Sequence, residues 1–474
     1  MNISRRTLLR NTAAVSTAAV VTTSSVNAQE TGNTWHGFAK NSNNTGHNPD
    51  SNVSGSQVTQ RWTLNTSDAV TSGIAVDNGT VYFTDASGRV YQVTDDGETQ
   101  IFEENASADR LDTDLPTSTP LITNDQIITG GLSQQVLSVD VASGEEQWAF
   151  EDDSPYRSSP ISINDNVYLG NTDGEIVCIE TNSGDSEWRY ATDEPLYSSP
   201  VVFDDSVVLC TPSGQIVQID AESGEGNEIA SVDDDVTAAP IADDTFVYVV
   251  TESGELYAVD SSVSWETSLG ASVVATPAVA EGIVYIGTQS GDVIAVETGS
   301  GQQLWDVNIN GSVERGIAVG EETVVVGTDA GELYGINTDE GEIEWEYAIS
   351  SAITTPISIV NNIVYVGGEN GQVFSLQADS DILPELVDAA ESRDLESARN
   401  AIDDTVPRQV QAVAGLSVAG LASYMAVGRL RKKMGSQTTD TDHPTDATAK
   451  TLSGEAKPIG NSVDSSQESV ELSD

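Results

Sequence analysis

His, Cys and clustered carboxylates are the side chains of this chain best suited to metal binding or nucleophilic chemistry, and they are few or scattered. Three His and two Cys in 474 residues leave little material for a zinc site or a disulfide framework. Cys178 and Cys210 lie in apolar, strand-like runs, where a small buried residue is normal. They read as two separate thiols, although an exported location would permit a disulfide. The turns Asp112-Thr113-Asp114 and Asp233-Asp234-Asp235 offer the oxygen ligands that calcium prefers, but neither has a complete ligand-loop spacing. With 75 Asp and Glu in the chain, they are expected to be solvated surface. Six N-x-S/T sequons, at Asn43, Asn52, Asn65, Asn78, Asn105 and Asn310, are candidate glycan acceptors in exposed segments. No G-x-x-x-x-G-K, G-x-S-x-G or H-E-x-x-H is present, so the common nucleotide and hydrolase signals do not arise. Catalytic, cofactor-binding and metal-ligating residues are therefore not assigned.

The elements that would have to position any site are framed by charge. The net charge is −56, which excludes nucleic acid and anionic lipid heads as partners of the body. Residues 29–407 carry 67 acids and 9 bases, while residues 1–28 and 408–434 carry bases and no acid. The first positive island, Ser4, Arg5, Arg6, Leu8 and Leu9, resembles the twin-arginine export motif. It precedes a weakly apolar stretch and a cleavage site after Ala28. The second island, Arg429, Arg431, Lys432 and Lys433, follows twenty uncharged residues at 409–428. Their number suits one transmembrane helix, and the bases place the C-terminus in the cytoplasm. A signal peptide (1–28), a leader (29–59), a body (60–378), a helical stalk (379–407), the span (409–428) and a basic stop leading into a disordered cytoplasmic tail (429–474) are the expected domains. The body would then lie outside the cell, anchored in the cell membrane. Its acid excess resembles the adaptation of haloarchaeal proteins to molar salt.

Self-similarity dominates the body. Pro120, Pro160, Pro200 and Pro240 stand forty residues apart, and Pro277 and Pro356 continue the series. Gly73 and Ile317 hold the same slot in a first and a seventh copy. A Gly follows fourteen residues later in five copies, and fifteen later (Gly88, Gly371) in the first and last, as though one residue were inserted. The second copy lacks it. Twenty-eight residues past the slot stand Trp148, Trp188, Trp305 and Trp345, with Trp265 three residues early, Phe102 in the first copy, and Glu228-Ile229 in the fourth. Each copy reads as four short strands broken by Asn-Asp, Asp-Gly and Ser-Gly turns, the pattern of a propeller blade. The eighth copy stops near Gln377 without an outer strand, and Trp62 has no copy of its own. An all-β, eight-bladed ring of four-stranded antiparallel blades follows, closed by residues 60–66 from the N-terminal side.

The third copy, SSPISINDNVYLGNTDGEIVCIETNSGDSEWRY, and the sixth, ATPAVAEGIVYIGTQSGDVIAVETGSGQQLW, resemble the PQQ-type (pyrroloquinoline quinone) repeat. The opening WHGFAKNSNNTGHNP is similar to the leader of such propellers. The resemblance implies the fold for residues 35–377 and leaves the activity open, because the family holds both quinoprotein dehydrogenases and non-catalytic assembly scaffolds. The dehydrogenases bind PQQ with calcium beside adjacent cysteines, and some of the family use a catalytic His. Cys178 and Cys210 are not adjacent, and His36 and His47 both precede the first blade. The expectation is a membrane-anchored scaffold without a cofactor, binding envelope proteins or glycans. The alternatives are a PQQ-dependent, calcium-containing oxidoreductase and a purely structural envelope component.

Overall fold

The computed structural model describes residues 34–378 apart from 56, 95–98, 104–117 and 132–133. The export motif, Asp112-Thr113-Asp114, the stalk, the span at 409–428 and the basic stop lie outside the described residues. Among the described residues, no helix is long and apolar enough to cross a membrane.

The third copy shows how the repeat becomes a blade. Its strands Ile161–Ile163, Asn166–Gly170, Glu175–Glu180 and Ser186–Ala191 form one antiparallel sheet in chain order. The second and third strands are buried on both faces, so they carry near-continuous Val, Ile and Leu. The fourth alternates between exposed and half-buried positions, as expected of an outer edge with one solvated face. Eight such sheets are present, and the first strands of neighbouring blades touch around the ring, blade 8 meeting blade 1. The fourth strand of blade 8 is Val58–Asn65, which pairs antiparallel with Gln372–Ala378. Ring closure from the N-terminal side is thus confirmed, over a slightly longer strand than 60–66.

Two details of the repeat differ from the sequence reading. In blades 1 and 8 no residue is inserted. Ala75 pairs with Tyr82 and Ser358 with Tyr365, in the register of Ile161 with Tyr168. The slot residues are therefore Ile74 and Ile357, and Gly73 and Pro356 stand one place before them. Alignment on proline displaced both, because the slot asks for a residue entering the inner strand and not for proline itself. In blade 2, Gln134 fills the missing Gly position and adopts the same left-handed backbone, with φ 64° against 87° at Gly174. A Cβ at Gly174 would lie 2.5 Å from the Glu194 carbonyl oxygen, which is why the other copies keep glycine there.

Four of the tryptophans clasp one blade to the next. The indole N–H groups of Trp148, Trp188, Trp265 and Trp305 donate to the carbonyls of Thr181, Ala221, Thr298 and Thr338, at 2.7–3.0 Å. Each acceptor lies 33 residues on, at the end of the third strand of the following blade. The rings rest on Gly184, Gly224, Gly301 and Gly341 in the same turns. Trp345 faces blade 8, which has no such turn, and donates instead to Val53 of the leader at 2.9 Å. Every Trp on a fourth strand follows a bulge residue, as Glu187 precedes Trp188, and the bulge turns the indole toward the neighbour. Beneath each indole the third strand carries a small residue: Ser138, Cys178, Ala258, Ala295, Gly335 or Ser375. Blade 4, which lacks Trp, has Gln218 there. The clasp is missing on both sides at this interface, since the corresponding turn of blade 5 is shortened to Asp260–Ser262.

Candidate functional site

A ring of eight sheets leaves the inward edges of eight first strands unpaired, and unpaired backbone groups away from water are costly. The leader satisfies them. Thr34–Trp35 adds a fifth strand to blade 1 by pairing Trp35 with Val76. The His36 carbonyl accepts the Ile122 N–H of blade 2 at 2.7 Å, and Ser42 Oγ donates to the Ser162 carbonyl of blade 3 at 2.7 Å. The carbonyls of Ser42, Asn43, Thr45 and Gly46 then accept the N–H groups of Val202, Ala242, Val279 and Val319, at 2.7–2.9 Å. Asn48 Nδ2 donates to the Ile359 carbonyl of blade 8 at 2.8 Å. Each blade is met at the residue two places past its slot. Gly46 makes the crossing possible: at φ 61° its Cβ would lie 2.9 Å from both the Ala278 side chain and the Ile317 carbonyl oxygen.

The plug enters from one face. Ser51 and Asn52 bond to Glu321 and Asn362, in the turns between first and second strands of blades 7 and 8. At the level of the slots, fully buried Asn44 donates to the carbonyls of Pro200 and Pro240 at 2.9 and 3.0 Å. Its Oδ1 has no hydrogen-bond partner. The opposite mouth is bordered by the residues just before each slot. There stand Arg157 of blade 3 and Arg315 of blade 7, three and two residues ahead of their slots, and Tyr197 of blade 4, which is 49% exposed. Both arginines are half-buried. Arg157 Nη1 is inaccessible and without a hydrogen-bond partner. Burial lowers the pKa of Arg315, against the charge of Glu314, yet a guanidinium remains protonated at neutral pH.

The other described cations are engaged. Arg89 meets Asp68 and Asp85 at 3.4 and 3.5 Å, and Arg189 meets Asp152 and Glu175 at 3.0 and 2.8 Å. Lys40 and Arg61 also have partners. Sequence reasoning passed over Arg157 and Arg315. Their positions just ahead of two slots, in a body with nine bases, were the available signal.

The sequence-singled residues are structural. Pro120, Pro160, Pro200, Pro240 and Pro277 lead into inner strands, Trp148, Trp188, Trp265 and Trp305 clasp blades, Trp345 holds the leader, and Trp62 Nε1 has no hydrogen-bond partner. Cys178 and Cys210 are buried free thiols, and burial pushes both up to about 12, so neither is a thiolate at neutral pH. Asp234 accepts from the backbone and side chain of Ser253, which holds its pKa down to about 2. The Asn43 sequon is not exposed as expected, because its Nδ2 donates to the Val202 carbonyl inside the ring. Among the described residues, no three His, Cys, Asp or Glu converge to hold a metal. The leader occupies the inner edges of the first strands.

The sequence model of the family described as outer membrane protein assembly factor BamB matches residues 51–263, 226–298 and 289–421. Among solved structures, BamB from Moraxella catarrhalis is 22% identical, with a TM-score of 0.56 over 68% of this chain and all of that one. A europium-containing methanol dehydrogenase is 13% identical, with a TM-score of 0.62 over 73% of this chain and 98% of that one. The quinohemoprotein alcohol dehydrogenase ADHIIG from Pseudomonas putida HK5 is also 13% identical, with a TM-score of 0.59 over 73% and 80%. Likeness at these identities speaks for the fold alone. Among curated proteins, none matches.

Proposed function

From the premise that this chain belongs to the PQQ-like repeat family of the outer membrane protein assembly factor BamB, we propose that it is a non-catalytic binding scaffold. It is exported by its twin-arginine signal and held at the cell surface by the helix at 409–428. The observation that carries the reading is the plug: one segment of the chain bonds to all eight inner strands and fills the axis where a funnel site would be built. The remaining mouth offers cations and an exposed tyrosine, and no convergent acid–base or metal-binding set among the described residues. Such a surface can hold a partner without transforming it. Cross-linking on intact cells, followed by capture of the full-length protein and identification of what is attached, tests this. Reproducible envelope proteins are expected. No partner at native salt would overturn the scaffold, and substrate oxidation appearing only with added PQQ and calcium would establish the dehydrogenase reading instead.

A further inference from the structure

Charge pairing across the described residues singles out one place. Of six Lys and Arg in the described body, four are engaged with neighbours. The other two, Arg157 and Arg315, form no ion pair or hydrogen bond with the described residues, although the chain carries 75 carboxylates. Both stand just ahead of a slot, on the mouth opposite the plug. Blades 3 and 7 are four apart in a ring of eight, so the two residues stand on opposite sides of the axis. An acidic protein that leaves its spare cations at one opening, and partners the rest, has a charge pattern complementary to an anion entering that opening.

We infer that this mouth is a receptor for an acidic peptide segment of a partner protein, whose carboxylates pair with Arg157 and Arg315 from opposite walls. The inference rests on the scaffold reading above and names the partner's chemistry. Guanidinium suits the role because it meets a carboxylate with two parallel N–H donors, and half-burial strengthens each such bond. The half-buried Arg157 guanidinium, which has no ion pair among the described residues, gains an acceptor at its exposed part. One carboxylate cannot satisfy two groups on opposite walls, so the ligand is an extended chain with acids spaced along it. Exposed Tyr197, at the offset in blade 4 that Arg157 holds in blade 3, supplies the aromatic contact that accompanies Arg in protein interfaces. Molar salt shortens the screening length to about 3 Å. Steering over distance is then lost, while direct contact pairs remain.

The test uses the full-length protein in molar salt and a fluorescent Glu-Gly repeat peptide, with a Gln-Gly peptide and an oligouronate as comparisons. Saturable binding of the Glu-Gly peptide alone is expected. Arg157→Gln and Arg315→Gln should each weaken it about tenfold, with unchanged melting temperatures because neither side chain holds the ring together. Arg89→Gln and Arg189→Gln, which disturb only cations already paired, should leave the affinity as it is. Equal affinity in the Arg157→Gln/Arg315→Gln double variant overturns the inference, as does binding of the oligouronate in preference to the peptide. In the cross-linking experiment, capture of the same partners by the double variant overturns the mouth and leaves the scaffold standing. If the wild type captures nothing the scaffold falls, and the peptide measurement, which needs no natural partner, still decides the mouth.

Discussion

His47 lies within the plug, bridged to Val319 of blade 7. Burial lowers its pKa, with Glu281 opposing, Lys40 reinforcing and Asp50 opposing. The folded ring thus prefers the neutral imidazole, and the unfolded chain takes up the proton first as pH falls below about 6.5. The stability His47 contributes is present above that value and is lost as pH falls toward the folded pKa. Thermal melts between about pH 7 and 5.5 should show this decline before carboxylates titrate, and His47→Gln should flatten it. Gln134 makes a second case. It holds a left-handed backbone that glycine adopts freely, so Gln134→Gly is expected to stabilise by about 0.5–1 kcal/mol in denaturant titration. At Cys178 the space lies under Trp188, so Cys178→Ala should be well tolerated and Cys178→Leu should cost about 1–3 kcal/mol from overpacking. Single residues of this kind were only partly legible beforehand. The strand around Cys178 showed in its continuous apolar run, whereas the indole above it depends on a bulge that no local pattern announces.

At the level of elements, the repeat made the blades legible because slot, glycine turn and Trp recur at fixed spacing. The leader was legible only as a segment. Its residues bond through backbone carbonyls and short polar side chains, so no hydrophobic period marks the path across eight blades. The register of blades 1 and 8 escaped for a related reason: proline is a frequent occupant of the slot and not its definition. The clasps predict where the ring is strong. Trp345, 3% exposed and bonded to Val53, should cost about 3–5 kcal/mol when replaced by Ala, and the leader should then be cut sooner by added protease. The interface of blades 4 and 5 lacks Trp, its small counterpart and its receiving turn. Amide exchange should therefore reach Gly226–Ser231 before the equivalent strand Gln303–Asn308. Glu228→Trp alone should bring no gain in stability, because Gln218 and the shortened turn leave the indole no seat.

For the whole molecule, charge sets the conditions of stability. The net charge is −56, and ion pairs such as those of Arg89 and Arg189 neutralise only a little of it. Carboxylates left to repel one another destabilise a compact body in dilute buffer, and molar salt screens them to about 3 Å. A melting temperature that falls steadily on dialysis to low salt is the expected result. An unchanged one would count against a halophilic setting. Closure of the ring also orders events in time. Thr59 bonds to Gln377 across 318 positions of the chain, and the leader seats itself on blades made after it. A ribosome delivers Val58 long before Ala378, so the closing strand waits with an open edge until nearly the entire body exists. The ring cannot be completed blade by blade as the chain emerges. A secretion route that threads chains unfolded would postpone that last step to the far side of the membrane, whereas one that accepts finished proteins lets the cell complete the circle before dispatch.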